Sequence, residues 1–305
     1  MPKLWVLCVR GEVEEVRAAL ERGEDVNSRD AIRDSNWTPL MHTAGQHKEH
    51  PFHENHVSIL RLLLEHPSIE VNLAGEKGVT ALHLASLHGN IEAVELMLAS
   101  QRLDVNCKDW KLMTPLMIAA EKVGNIDIFK LLLADPRVDV NCVASHGPTT
   151  HSALGELTTL MMASGSSNVE ATELLLDDQR VDLNWMNSMT RLGVLHTLVT
   201  LPKRFCDLKL VKLFLAHPRV DVNWKCGPLG ETILHMAAAL CLNVEVVTII
   251  LAEPRFTSAN ALNDNGDTAV AVAVINSNWD ALKVLIHHPS IDLEKNGRNV
   301  DDLVR

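Results

Sequence analysis

One short pattern returns every 34 residues or a little more along almost the whole chain, and that period decides the fold class before composition is weighed. Thr38-Pro39-Leu40-Met41, Thr80-Ala81-Leu82-His83 and Thr114-Pro115-Leu116-Met117 align at once. Thr158-Thr159-Leu160-Met161, Thr232-Ile233-Leu234-His235 and Thr268-Ala269-Val270-Ala271 continue the series, and Gly193-Val194-Leu195-His196 keeps the frame with the threonine lost. A second landmark recurs as Val26-Asn27, Val71-Asn72, Val105-Asn106, Val140-Asn141, Leu183-Asn184 and Val222-Asn223, with Ala259-Asn260 a weaker copy. These landmarks define eight units, beginning near residues 2, 38, 80, 114, 158, 193, 232 and 268, in one array over residues 1–305.

Inside a unit the apolar spacing is helical. In the third, Leu82, Ala85 and Ser86 mark one short helix, Gly89-Asn90 breaks it, and Ile91, Val94, Met97 and Leu98 mark a second. The opening threonine suits an N-cap, and proline suits the first helical position. Pro67, Pro136 and Pro218 stop second helices. One such unit cannot bury its own apolar face, so stacking on neighbours must supply the core. Thr80-Ala81-Leu82-His83-Leu84-Ala85 with Gly89-Asn90 is close to the ankyrin signature, and with its in-frame copies the chain resembles the ankyrin repeat family over nearly its whole length. The resemblance implies an all-α repeat protein, an ankyrin-repeat solenoid of about eight helix-turn-helix units, with hairpin-like loops projecting as fingers beside a concave surface. The first unit lacks the Thr-Pro-Leu-His opening and reads as a cap. The eighth carries an Ala-Val alternation over 269–274 that alone would read as a strand, but its frame argues for helix and for a closing cap; Asn299-Val300-Asp301-Asp302-Leu303 resembles the opening of a truncated further unit.

Composition narrows the function classes. The chain is 47% hydrophobic but 4% aromatic and has no tyrosine, which suits thin stacked helices better than a catalytic cleft. A net charge of -11 repels phosphate backbones and argues against nucleic acid as a general partner. No run reaches the roughly 20 apolar residues of a membrane helix, and Met1-Pro2-Lys3-Leu4-Trp5 does not open a signal peptide. The expectation is a cytoplasmic monomer, with the nucleus a further location and no membrane contact. Six cysteines, at 8, 107, 142, 206, 226 and 241, contain no CxxC pair and read as free thiols.

Departures from the repeat locate candidate binding elements. Extra residues fall in 46–55, around 202–205, and in the longest finger, 142–157, which holds His146 and His151. Insertions in such arrays map to loops, where specificity resides. Trp110 lies four residues after Asn106 at the expected tip of a finger, Trp185 and Trp224 directly follow their asparagines, and Trp37 directly precedes Thr38. Tryptophan is enriched at binding hot spots, although Trp185 and Trp224 also suit packing between adjacent fingers. With Lys111, Met189 and Arg191 these residues form the expected partner-binding set. Finger charges counted by position are mixed, seven basic against eight acidic, as suits protein recognition.

Chemistry is harder to find. His42, His47, His50, His53 and His56 have a spacing that could gather zinc, but Pro51 interrupts any helix and the set includes no cysteine or aspartate, so a solvated loop is the preferred reading and no metal is assigned. His83, His196 and His235 read as structural histidines bonded to neighbouring loop backbone. The acids of Asp-Val-Asn recur once per unit in a row, without a converging pair. No catalytic residue and no cofactor is expected. Family resemblance implies one modification, hydroxylation of finger asparagines such as Asn106, Asn141 and Asn223 by another protein. The function expected is a non-catalytic interaction module or scaffold holding a partner protein along its concave face and fingertips. The alternatives are the substrate-recognition subunit of a ubiquitin ligase, or the cytosolic ankyrin domain of a longer protein.

Overall fold

The computed structural model describes residues 2–30, 36–46, 53–145, 155–200, 207–240 and 243–295. The chain divides into two compact units, Met1–Gly147 and Pro148–Arg305. The first holds α1 (Leu4–Arg10), α2 (Val13–Glu21), α3 (Pro39–Ala44), α4 (His53–Glu65), α5 (Ala81–His88), α6 (Ile91–Leu98), α7 (Pro115–Glu121), α8 (Ile126–Ala134) and the short strand β1 (Val143–Ser145). In the second, β2 (Glu156–Thr158) precedes α9 (Thr159–Gly165), α10 (Val169–Asp177), α11 (Val194–Thr200), α12 (Leu208–Ala216), α13 (Ile233–Leu240), α14 (Val244–Ala252), α15 (Ala269–Ile275) and α16 (Trp279–His287). These are eight helical pairs in the expected frame, an all-α repeat solenoid in which the Ala-Val run of α15 is indeed a helix, buried on every face from Ala269 to Val274.

Each pair begins and breaks where short-range chemistry dictates. The threonine hydroxyl accepts the N–H three residues on, Thr38 from Met41, Thr114 from Met117, Thr158 from Met161 and Thr268 from Ala271, at 3.3–3.4 Å. Pro39 and Pro115 occupy the first turn, where a missing N–H costs nothing. Gly89 closes α5 at a left-handed φ of 77°. First helices then pack on first helices and second on second: α1–α3–α5–α7 beside α2–α4–α6–α8, and α9–α11–α13–α15 beside α10–α12–α14–α16. The core is the seam between the rows, filled by side chains such as Leu40, Leu60, Leu82, Leu116 and Phe129 in the first unit and Leu175, Phe214 and Ile250 in the second.

Asparagines lock the stacking in both directions. Asn90 accepts from Ala93 N–H to cap α6, and its amide donates back to Ala44 carbonyl on α3 at 3.2 Å. Asn278 does the same for α16 and Ala238, and the Asn125 amide reaches Ser86. The finger asparagines reach forward instead: Asn106 donates to Arg137 carbonyl and accepts from Asp139 N–H, both at 2.8 Å. Asn27, Asn72, Asn223 and Asn260 make the same pair of bonds to the following loop. The acid two residues earlier has its own task, since Asp104, Asp139, Asp182 and Asp221 each accept the N–H of the following asparagine. Arginines beyond the second helices reach back one repeat: Arg137 to the Leu98 and Ser100 carbonyls, Arg219 to Asp178 and Val181, and Arg255 to Leu215. These guanidinium groups satisfy carbonyls at helix ends that the helix leaves open.

Asn106→Ala removes one donor and one acceptor and leaves two loop groups unsatisfied. It is expected to cost roughly 1–3 kcal/mol in urea unfolding, with Asn106→Asp, which keeps only the acceptor, losing less.

Candidate functional site

Finger geometry follows from the loops being closed as hairpins. Asp30 N–H donates to Trp37 carbonyl, Gly75 to Val79, Asp109 to Met113, Asn187 to Leu192 and Asn263 to Asp267. Neighbouring fingers are joined by single backbone bonds: Trp110 N–H to Lys77 carbonyl and Ser145 N–H to Lys111 carbonyl in the first unit, Gly227 to Arg191 and Asp264 to Leu229 in the second. Each tip is therefore fixed before any partner arrives.

The third finger carries the most exposed tryptophan. Trp110 is 61% exposed, with the Lys77 ammonium 5.7 Å and the Lys111 ammonium 5.1 Å from its ring, within the range of a cation–π contact. Asp109 does not face outward as a free acid, since its Oδ1 accepts from the N–H groups of Lys111 and Met113. Leu112, beyond Lys111, is 44% exposed and holds a φ of 58°. Gly78 and Gly266 occupy the matching place in other fingers, at 73° and 78°. A leucine in that region costs roughly 1 kcal/mol or more.

The other sequence-derived residues fall into separate settings. Trp37 is half-buried, edge-on to His42, which stacks on Trp5 and contacts the buried Asp30 carboxylate at 2.7 Å. Trp224 is half-buried with its ring against Gly193, where a Cβ would meet Cζ3 at 2.7 Å, and edge-on to His196. Trp185 is half-buried as well. Met189 is 72% exposed, its sulfur lying over Gly155, and Arg191 is exposed at a φ of 56°. Asn106 and Asn223 are part-buried and bonded to the next loop, and Asn141 is exposed. His146 and His151 lie outside the described residues, as do residues 47–52 of the 46–55 insertion and the insertion around 202–205. Of the histidine-rich set, His56 is buried and bonds Val9 carbonyl, while His47, His50 and the His53 side chain lie outside the description.

Position in the sequence does not show which finger charges face outward. Asp30 and Asp267 are both 3% exposed, and Asp109, Glu156 and Glu231 are part-buried. Burial raises Glu231 above the ordinary carboxylate range. Among the described residues the exposed finger charges are Lys77, Lys108, Arg191 and Lys225 against Glu76 and Asp264, four basic to two acidic on an acidic chain. Carboxylates turn inward because hairpin N–H groups need acceptors, a service no ammonium can give. Leu112, Leu229 and Leu262, each 38–44% exposed on fingers, were also missed; the one signal available was a leucine at a glycine position.

Two structural histidines behave as expected and the third does not. His83 Nδ1 accepts from Thr80 N–H and its Nε2 donates to Met113 carbonyl at 2.9 Å; His235 repeats this with Thr232 and Asp267. At unit six glycine replaces the threonine, and neither ring nitrogen of His196 makes a hydrogen bond of good geometry, the Trp224 and Glu231 backbones being its near polar neighbours. Burial lowers the pKa of all three, His196 to about 4, with the nearby Trp224 and Glu231 backbones opposing it only in part. The thiols move the other way: burial raises Cys8 to about 12 and the part-buried Cys107 and the buried Cys142 and Cys226 to about 11, which keeps them protonated and weakly nucleophilic.

A family model described as ankyrin repeats (3 copies) matches residues 51–144 and 202–297, more than half of the chain. The chain belongs to the ankyrin repeat family. Its helical pairs continue through the interval between the two matches, where Thr158 and Asn168 cap α9 and α10 in the ankyrin frame. The ankyrin array is also similar to the human transient receptor potential cation channel subfamily A member 1, with 30% identity over 101 residues, 33% of this chain and 8% of the channel. Ankyrin repeats are in general protein-interaction modules, and among the described residues of this one no helix is long and apolar enough to cross a membrane.

Two outcomes distinguish exposed from packed tryptophan. Trp110→Ala is expected to leave unfolding within about 0.5 kcal/mol of the parent, and Trp224→Ala to cost roughly 2–4 kcal/mol, both by chemical denaturation. For the histidines the unfolded chain takes up protons near pH 6.5 that the folded state refuses, so stability is full above that pH and falls as it drops towards 4. His196 alone accounts for about 3 kcal/mol of that loss at full extent, and His196→Gln should flatten the slope measured between about pH 7.5 and pH 5.

Proposed function

We propose that this chain is a non-catalytic interaction module that holds a partner protein along its fingertips and the adjoining concave face. The observation carrying the reading is Trp110, a large apolar side chain kept exposed on a rigid hairpin tip when other tryptophans of the finger loops are half-buried. An exposed anchor on a pre-formed loop is where binding energy concentrates at low entropic cost. The exposed Met189, Leu229 and Leu262 extend the same character over the fingers of the second unit. Trp37, Trp185 and Trp224 belong to this reading as supports of the finger edge, and Lys111 and Arg191 as its polar contacts. The cytoplasm is the compartment proposed, and hydroxylation of Asn106, Asn141 and Asn223 a modification to be sought by mass spectrometry; at Asn106 and Asn223 it requires the finger to release both bonds to its neighbour.

The similarity to part of the human channel favours a second reading, in which the array serves as the ankyrin domain of a longer protein. Immunoblotting of native extract decides between them by the size of the chain that carries it.

Affinity capture from native extract with quantitative mass spectrometry tests the main reading. A protein retained by the parent chain and depleted at least about tenfold by folded Trp110→Ala is the expected result, the size of loss typical of a hot-spot tryptophan. Undiminished capture would move the contact off the fingertip.

A further inference from the structure

The third finger differs from its neighbours in a direction that defines its ligand. Its tip residue, Trp110, stands where the second and seventh fingers have the acids Glu76 and Asp264, and Leu112 stands where they have Gly78 and Gly266. Two apolar side chains thus replace an acid and a glycine, one of them at a backbone conformation that favours glycine. Two ammoniums, those of Lys77 and Lys111, lie by the Trp110 ring, and the exposed Lys108 precedes the tryptophan by two residues in the chain. Among the acids nearby, Asp109 is turned into its own hairpin, Glu121 is half-buried near Lys111, and the exposed Asp104 and Asp139 lie outside the two fingers. Glu76 is the one exposed carboxylate on the two fingers, 72–79 and 106–113. Apolar surface ringed by lysine on an acidic chain is complementary to a ligand that is acidic and carries an apolar side chain.

We infer that the tip of the third finger is a docking site for an acidic peptide segment of a partner protein, with an apolar side chain seated against Trp110 and Leu112 and its carboxylates facing Lys77, Lys108 and Lys111. The inference rests on the reading that the fingers hold a protein, and adds to it the chemistry of what is held. Leucine at position 112 is explained by the same site, since its exposed side chain adds contact area for the ligand at the expense of the hairpin's own comfort.

A displayed library of random peptides, selected on the full chain, tests this directly. The expected binders are net acidic with a central apolar residue, and their affinity falls steeply with added salt. Lys77→Glu and Lys111→Glu should each weaken a recovered peptide about fivefold or more, and Trp110→Ala should abolish binding. Leu112→Gly is the sharper control: it relieves the strained φ, so the chain folds at least as well, yet it should bind about tenfold more weakly. Binders that are neutral or basic, binders indifferent to Leu112→Gly and to the lysine reversals, or an empty selection would each overturn the inference. Neutral or basic binders alongside a Trp110-dependent partner in extract would remove the acidic chemistry and leave the general function standing. Extract capture indifferent to Trp110 would remove the function itself.

Discussion

Loops between stacked helices have backbone groups to satisfy and no ladder of their own to do it, and the structure solves this with side chains lent by the neighbouring repeat. Asn72 and Asn106 each supply one donor and one acceptor to the loop that follows. Arg137, Arg219 and Arg255 cap carbonyls of the repeat before. His83 and His235 join a helix start to the next loop through both ring nitrogens. Hydrophobic stacking drives the assembly, but these bonds fix its register and hold the finger bases still. A fingertip can present a tryptophan to solvent only because the backbone beneath it is held this firmly.

Much of this was legible in the sequence because it is local. The threonine caps, the Gly-Asn breaks and the helix-stopping prolines act within a few residues, and the helical pairs that carry them fall where they put them. The double role of Asn90 was not legible, since half of it concerns Ala44, a full repeat away. His196 shows the same limit from the other side. It keeps the family position, but its capping threonine is Gly193, and the space so freed is taken by Trp224, leaving a buried imidazole without the well-formed bonds that His83 and His235 make. No rule of spacing reveals that exchange.

Charge was the least legible property. Counting acids and bases by loop treats every side chain as outward, whereas hairpin N–H groups draw carboxylates inward and leave lysines outside. Among the described residues the exposed finger charges therefore lean opposite to the chain as a whole, and a ligand approaching them meets a field that bulk composition would not suggest. Tryptophan position was more informative than tryptophan count, because the tip residue Trp110 and the loop-base residue Trp224 meet opposite environments on equivalent scaffolds.

The asparagine bonds also give each stack a direction of opening. Amides in the turns between paired helices clasp the repeat behind, and those in the fingers clasp the repeat ahead. An interior repeat is thus gripped on both sides, and freeing it alone would strand polar groups on two neighbours at once, while a terminal repeat has only one grip to release. Thermal opening should travel inward from an end, one repeat at a time, like a zip with teeth of uneven strength. Length in such a stack changes by whole repeats, and residues can be added singly only where the clasps do not reach.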